Sequence, residues 1–165
     1  MNNKISVLYF VDCLEHGGIQ SLLLEIVKHL HNNLDISFLV FESDKKEDVM
    51  ASYGCTIYKI PSLVKHPLKC FHACDKIFKN HHFDILHCHS SSKSAIPLKA
   101  AKKNNVKVRI EHVHSDRFQT NNFIKNMLRY SYLIIMALLL NAVVNEIIVS
   151  ANKIISVNID YMLSG

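Results

Sequence analysis

Short apolar runs rich in β-branched residues alternate with segments of helical spacing along nearly the whole chain of 165 residues, and this alternation restricts the fold more than any other feature. KISVLYFV at 4–11 reads as a buried strand that stops at Asp12. After the loop CLEHGG, the apolar residues Ile19, Leu22, Leu23, Ile26, Val27 and Leu30 fall on one face of a helix. The pattern then repeats with a strand at 35–41, a short helix at 46–53 and a strand at 56–60 closed by Pro61. Pro67 opens the next helix, because a proline in the first turn lacks only an N–H that would be unpaired there anyway. DILHCH at 84–89 is a fourth strand, followed by a polar turn at 90–94, a helix at 95–103, the terminator Asn104-Asn105 and a strand at 106–111. A histidine-bearing loop, a helix at 122–143, the strand EIIVS at 146–150 and a last helix at 152–163 complete the series.

Strand following helix following strand implies parallel pairing with right-handed crossovers, since antiparallel hairpins would need short turns that this chain lacks. The expected fold is α/β, a Rossmann-like doubly wound parallel sheet of about six strands, in a single domain over 1–165. In such a sheet ligands lie beyond the carboxyl ends of the strands, near the reversal in strand order, so the loops after the first, fourth and fifth strands should surround one crevice. A composition of 49% apolar and 20% charged residues is ordinary globular usage and excludes a disordered chain.

The net charge of +5, with many lysines between 93 and 107, suits anionic partners such as nucleotide diphosphates, lipid phosphates or an acidic membrane surface. Nucleic acid is not expected, because no recognition motif is present and the basic residues are not interleaved with an aromatic platform. An odd set of five cysteines, and a first strand that starts at Lys4 where a signal peptide would lie, point to a reducing, cytoplasmic compartment. The apolar run at 133–144 is interrupted by Asn141 and falls short of the roughly 18–20 residues of a spanning helix. Lys125, Arg129, Tyr130 and Tyr132 at the front of that helix suit docking at a membrane interface through 122–143; burial in the interior or under another domain reads equally well.

Gly17 and Gly18 sit where the first loop enters its helix, which makes them either a phosphate cradle at the positive end of the helix dipole or simply a tight turn. Neither GxGxxG nor GxxxxGK[ST] occurs. Strand alternation sends His87 and His89 to one side and Cys88 to the other, either into the crevice or onto backbone partners. His112 and His114 alternate in the same way at the end of the fifth strand, with Arg109 before them and Arg117 after. Imidazole there could donate to a sugar hydroxyl or to phosphate. Cys70-x-His72-x-Cys74 and the histidines between 81 and 89 invite a metal reading. However, no CxxC or HExxH occurs, and Cys70 and Cys74 share a helical face on which they serve as small core residues, so no metal is expected. The absence of a GxSxG elbow argues against a hydrolase.

Taken in order, KISVLYFVDCLEHGGIQSLLLEIVKHL, FDILHCHSS, VKVRIEHVHS and EIIVSANKIISVNIDYMLSG resemble the amino-terminal, acceptor-side domain of family 4 retaining glycosyltransferases of the GT-B type, especially those of bacterial capsular or exopolysaccharide synthesis. The resemblance implies transfer of a hexosyl group from a nucleotide sugar, such as a UDP-sugar, to a lipid-linked or saccharide acceptor, with no other cofactor. It matches Gly17, Gly18 and Gln20 to the loop near the donor diphosphate and acceptor pocket, and His112 or His114 to the histidine that contacts the transferred sugar. His87, His89 and Ser90 match the acceptor-side strand end, with Arg109 and Arg117 as anion contacts. Retention would proceed by front-face attack assisted by the donor phosphate, without a protein nucleophile or an obligatory metal. The family's second domain would begin after Gly165, so activity would need that half from another chain, and the protein would work in the cytoplasm or peripherally on the inner face of the plasma membrane. The alternative is a non-catalytic Rossmann-like binding module or a truncated, inactive remnant. A dinucleotide enzyme is disfavoured because the glycine fingerprint and its acidic ribose partner are missing.

Overall fold

A computed structural model describes residues 4–15, 17–41, 48–90, 93–113, 148–150 and 154–156. Two of its strands, β1 (Ile5–Phe10) and β2 (Leu34–Phe41), are buried on both faces, as parallel strands under helices must be. Around them run α1 (Gly18–Leu30), α2 (Asp48–Ser52), β3 (Thr56–Ile60), α3 (Pro67–Asn80), β4 (Ile85–Cys88), α4 (Ala95–Lys103), β5 (Val108–Val113), β6 (Ile148–Ser150) and β7 (Ile154–Ser156). The strand order is β3-β2-β1-β4-β5-β6-β7, and the pairs from β3 through β6 are all parallel. This is the expected α/β Rossmann-like sheet. The order reverses between β1 and β4.

Two layers of core lie on the two faces. On one, Leu8, Phe10, Leu39 and Leu86 pack against Cys70, Cys74 and Phe78 of α3 and Leu98 and Ala101 of α4. On the other, Val7, Tyr9, Ile36 and Phe38 pack against Leu23 and Val27 of α1 and Met50 of α2. Cys70 and Cys74 are fully buried beside Cys88 while His72 is exposed, so these groups do not converge on a metal. All five cysteines carry free thiols. A hydrogen bond with the Cys70 thiol, and then burial, push the Cys74 thiol far above its usual range, which keeps it protonated and inert.

Asp84, the first residue of the DILHCH run, has a purely architectural place. Its carboxylate accepts the Ser6 N–H at 2.9 Å and meets His82 Nε2 at 3.2 Å, clamping the start of β4 to β1 at the amino rim. The Ser6 N–H is the main reason that its carboxyl is held below the usual range. The Asn104-Asn105 terminator behaves as expected: Asn105 adopts φ 60, and its N–H donates to Lys102 O at 3.1 Å.

Three expectations are revised. The last helix, at 152–163, is contradicted over its first turns: Ile154–Ser156 forms β7, antiparallel to β6, so the sheet gains a seventh strand that breaks the all-parallel pattern. Two adjacent isoleucines favour a pleated edge, and β6 offers them an open ladder. β5 starts and ends two residues later than the sequence pattern suggests, so that His112 belongs to the strand, opposite Val149 of β6. The basic stretch is also partly neutralised within the fold, because Lys93 pairs with Asp12 and Lys103 with Asp75. The helix at 122–143, His114 and Arg117 lie outside the described residues. Among the described residues no helix is long and apolar enough to cross a membrane.

Candidate functional site

The break in strand order sets the carboxyl ends of β1 and β4 side by side, each feeding its helix on the opposite face of the sheet, and this divergence opens a crevice. From β1 the chain enters α1 through Gly17, which occupies the N-cap position, and no side chain caps the helix. The amino end of α1 therefore presents backbone N–H groups and the positive end of its dipole at the rim. Gln20 turns back to donate from Nε2 to Cys13 O at 3.0 Å. It braces the loop to the helix, a structural duty beside the ligand role that the resemblance suggests.

Gly17 and Gly18 differ in their surroundings. A Cβ on Gly17 would collide with Gln20 Oε1, whereas a Cβ on Gly18 meets nothing within 4 Å. Gly17→Ala should therefore detach the Gln20 amide from Cys13. The lost hydrogen bond costs about 1 kcal/mol and the reduced freedom of the unfolded chain returns about 0.4–1 kcal/mol, so the two nearly cancel. The expected result is an unfolding midpoint almost unchanged, with a shifted Gln20 side-chain amide signal by NMR.

His87 lies in β4 and His89 just beyond it, where the His89 N–H extends the ladder to Phe10 O at 2.9 Å. The register His87↔Ile110 places His112 level with His89 on the neighbouring strand. The three rings form one cluster, with centroid separations of 4.3 Å for His87–His89, 5.8 Å for His87–His112 and 5.1 Å for His89–His112. Tyr9 backs them at 5.4 Å from His87 and 5.9 Å from His89. Tyr9 also belongs to the core layer that holds α1, so the imidazoles and the glycine turn share one face and one rim of the sheet. His89 is 4% exposed, and His112, half-buried, has its pKa lowered by desolvation. A neutral imidazole at that position can either donate to or accept from a bound hydroxyl.

The remaining expected residues are distributed differently. Ser90 is half-buried at the start of the turn before α4, where its carbonyl accepts the Lys93 N–H at 3.1 Å. Arg109 and Glu111 pair with Leu86 and Cys88, which puts them on the face opposite the imidazoles. The Arg109 guanidinium turns toward the amino rim and donates to Val106 O. The structure thus clusters His87, His89 and His112, sets Gly17 and Gly18 on the same face and rim, and directs Arg109 elsewhere.

Two contributors were missed by sequence reasoning. Tyr9 carried no signal beyond being one aromatic in an apolar strand. Lys93 was read as part of a basic surface, yet its ammonium pairs with Asp12 and sits 5.8 Å from the centre of the Phe41 ring. That contact ties the end of β1 to the entry of α4. An open pocket of about 530 Å³, lined by Lys4, His31, Asp35, Tyr53 and Cys55, lies at the amino end of β2 and contains none of the expected site residues.

Comparison with known proteins bears on this arrangement. The sequence pattern of the family described as glycosyl transferase 4-like matches residues 7–152, which contain the glycine turn, all three clustered histidines, most of β1 and all of β2 to β6. No curated protein sequence matches. A similar solved structure is the binary complex of leucoanthocyanidin reductase with NADPH from Vitis vinifera, with a TM-score of 0.50 and 16% identity, covering 83% of this chain and 46% of that chain. At that identity the likeness shows the fold alone. The chain spans about half the length of that structure.

Proposed function

The chain belongs to the glycosyl transferase 4-like family, and from that premise we propose that it is the acceptor-side half of a retaining transferase, moving a hexosyl group from a nucleotide sugar to a lipid-linked or saccharide acceptor in surface polysaccharide synthesis. What supports this reading is that the glycine start of α1 and the imidazole cluster lie on one face and one rim of the sheet beside the β1/β4 break. In this reading the N–H groups at Gly17 and Gly18 receive the donor diphosphate. His112 contacts the transferred sugar and His89 the acceptor, with His87 behind it. The acceptor oxygen bonds to the anomeric carbon as the sugar–phosphate bond breaks, and the leaving phosphate takes the acceptor proton. A second Rossmann-like half closes over the nucleotide, and His114 and Arg117 join the site from beyond the described residues. The segment at 122–143 docks on the inner face of the plasma membrane or against that second half.

Calorimetric titration of the full chain with UDP and UDP-sugars tests the proposal. Weak binding is expected, weakened at least about tenfold, or 1.4 kcal/mol, by Gly18→Val. Open space around Gly18 means that this variant keeps its fold, so the loss reports ligand approach. Absence of binding to any nucleotide would overturn the reading.

A further inference from the structure

We propose that His87, His89 and His112 form a three-imidazole site for a divalent transition cation, with Zn²⁺ the best-fitting ion. One ring nitrogen from each residue lies within 4.8 Å of the others. Tetrahedral Zn²⁺ with bonds of about 2.0–2.1 Å needs ligand nitrogens about 3.3 Å apart. The set therefore has to close by about 1.5 Å at most, which rotation about the soft outer torsion of each ring can supply without moving backbone.

The strands make this closure inexpensive. His87 and His89 are an H-x-H pair whose alternation turns both rings to one side, and parallel register brings His112 level with His89. His89 N–H is held by Phe10 O, and Tyr9 packs behind both rings of the pair. A ligand set ordered before binding loses little entropy when the ion arrives. Its chemistry is also selective: among the described residues the set offers three nitrogens and no carboxylate, which suits Zn²⁺, Ni²⁺ or Cu²⁺ and not Mg²⁺ or Ca²⁺, which require oxygen. Three protein ligands is the count of an open zinc site, as in carbonic anhydrase, leaving a fourth position for water or an anion.

The ion would occupy the same three imidazoles that the transferase reading gives to sugar and acceptor, so the test is run without nucleotide or acceptor present. The full chain, stripped of metal, is titrated with Zn²⁺ by calorimetry and with Co²⁺ as a visible-absorption probe. Expected are one equivalent of Zn²⁺, a tetrahedral Co²⁺ spectrum without thiolate charge-transfer bands, and no competition from Mg²⁺. His89→Gln and His112→Gln should each weaken binding at least about tenfold, while His72→Gln, on the exposed side of α3, leaves it unchanged. If His89→Gln fails to fold, imidazole ¹⁵N NMR of the unaltered chain decides, because three histidines and no others should shift on adding Zn²⁺. No stoichiometric binding, binding indifferent to both variants, thiolate bands from Cys70 and Cys74, or shifts at other histidines would each overturn the proposal. Zn²⁺ binding with no nucleotide binding would uphold it while overturning the transferase reading.

Discussion

Phe10→Ala is expected to lower the free energy of unfolding by about 3–5 kcal/mol. The ring is fully buried between Leu39 and Cys88 on the neighbouring strands and meets Phe41 edge to face at 5.5 Å. β1 is hydrogen-bonded on both sides, so its backbone cannot sink into the space left behind, and the cavity remains. Urea unfolding followed by far-UV circular dichroism measures the change. A loss below about 1 kcal/mol would mean that the two core layers are not packed as described. The same substitution should disturb the site, since Phe10 O anchors the His89 N–H.

Asp75→Asn is expected to flatten the loss of stability of the fold in acid. Asp75 is 6% exposed on α3, yet it accepts from Lys79 at 2.8 Å, Asn104 Nδ2 at 2.9 Å and Lys103 at 3.2 Å, joining α3 to the end of α4. Lys79 first, then Asn104 and Lys103, hold its carboxyl far below the usual range. A depressed carboxyl favours the folded state above the unfolded value near pH 4, and that contribution is lost as pH falls toward the folded value. The unaltered protein should therefore lose stability steadily below about pH 4. The variant should be less stable at pH 7 but flatter, the two curves converging in acid. Both ammonium groups are about half exposed, so added salt should narrow the gap. Urea midpoints at pH 7, 4 and 3 provide the check, and parallel curves would refute the role given to Asp75.

Much of this architecture could be read from local pattern. The runs at 4–11, 35–41, 56–60 and 84–89 became β1 to β4 with little error at their ends: β1 and β2, buried on both faces, leave a nearly unbroken apolar signature, and β3 and β4 are bounded by Pro61 and Asp84 and carry β-branched and aromatic residues. Pro67 and Asn104-Asn105 marked helix ends for reasons internal to a few residues. β7 was misread because IIS in isolation suits an edge strand or a helix turn equally, and the neighbouring β6 decides between them. Lys93 was misread for a related reason, as its partner Asp12 is 81 residues away.

The sequence by itself determined the class of fold, the rim on which the candidate site lies and the identity of the glycine turn and histidines, since each follows from periodicity and short-range stereochemistry. Tertiary structure alone decided that His87, His89 and His112 form one cluster, that Tyr9 backs it, and that Arg109 lies on the other face. Strand order and register bring together residues that are distant along the chain, and neither is encoded in any single segment; both are settled by which packing buries the two apolar layers at once.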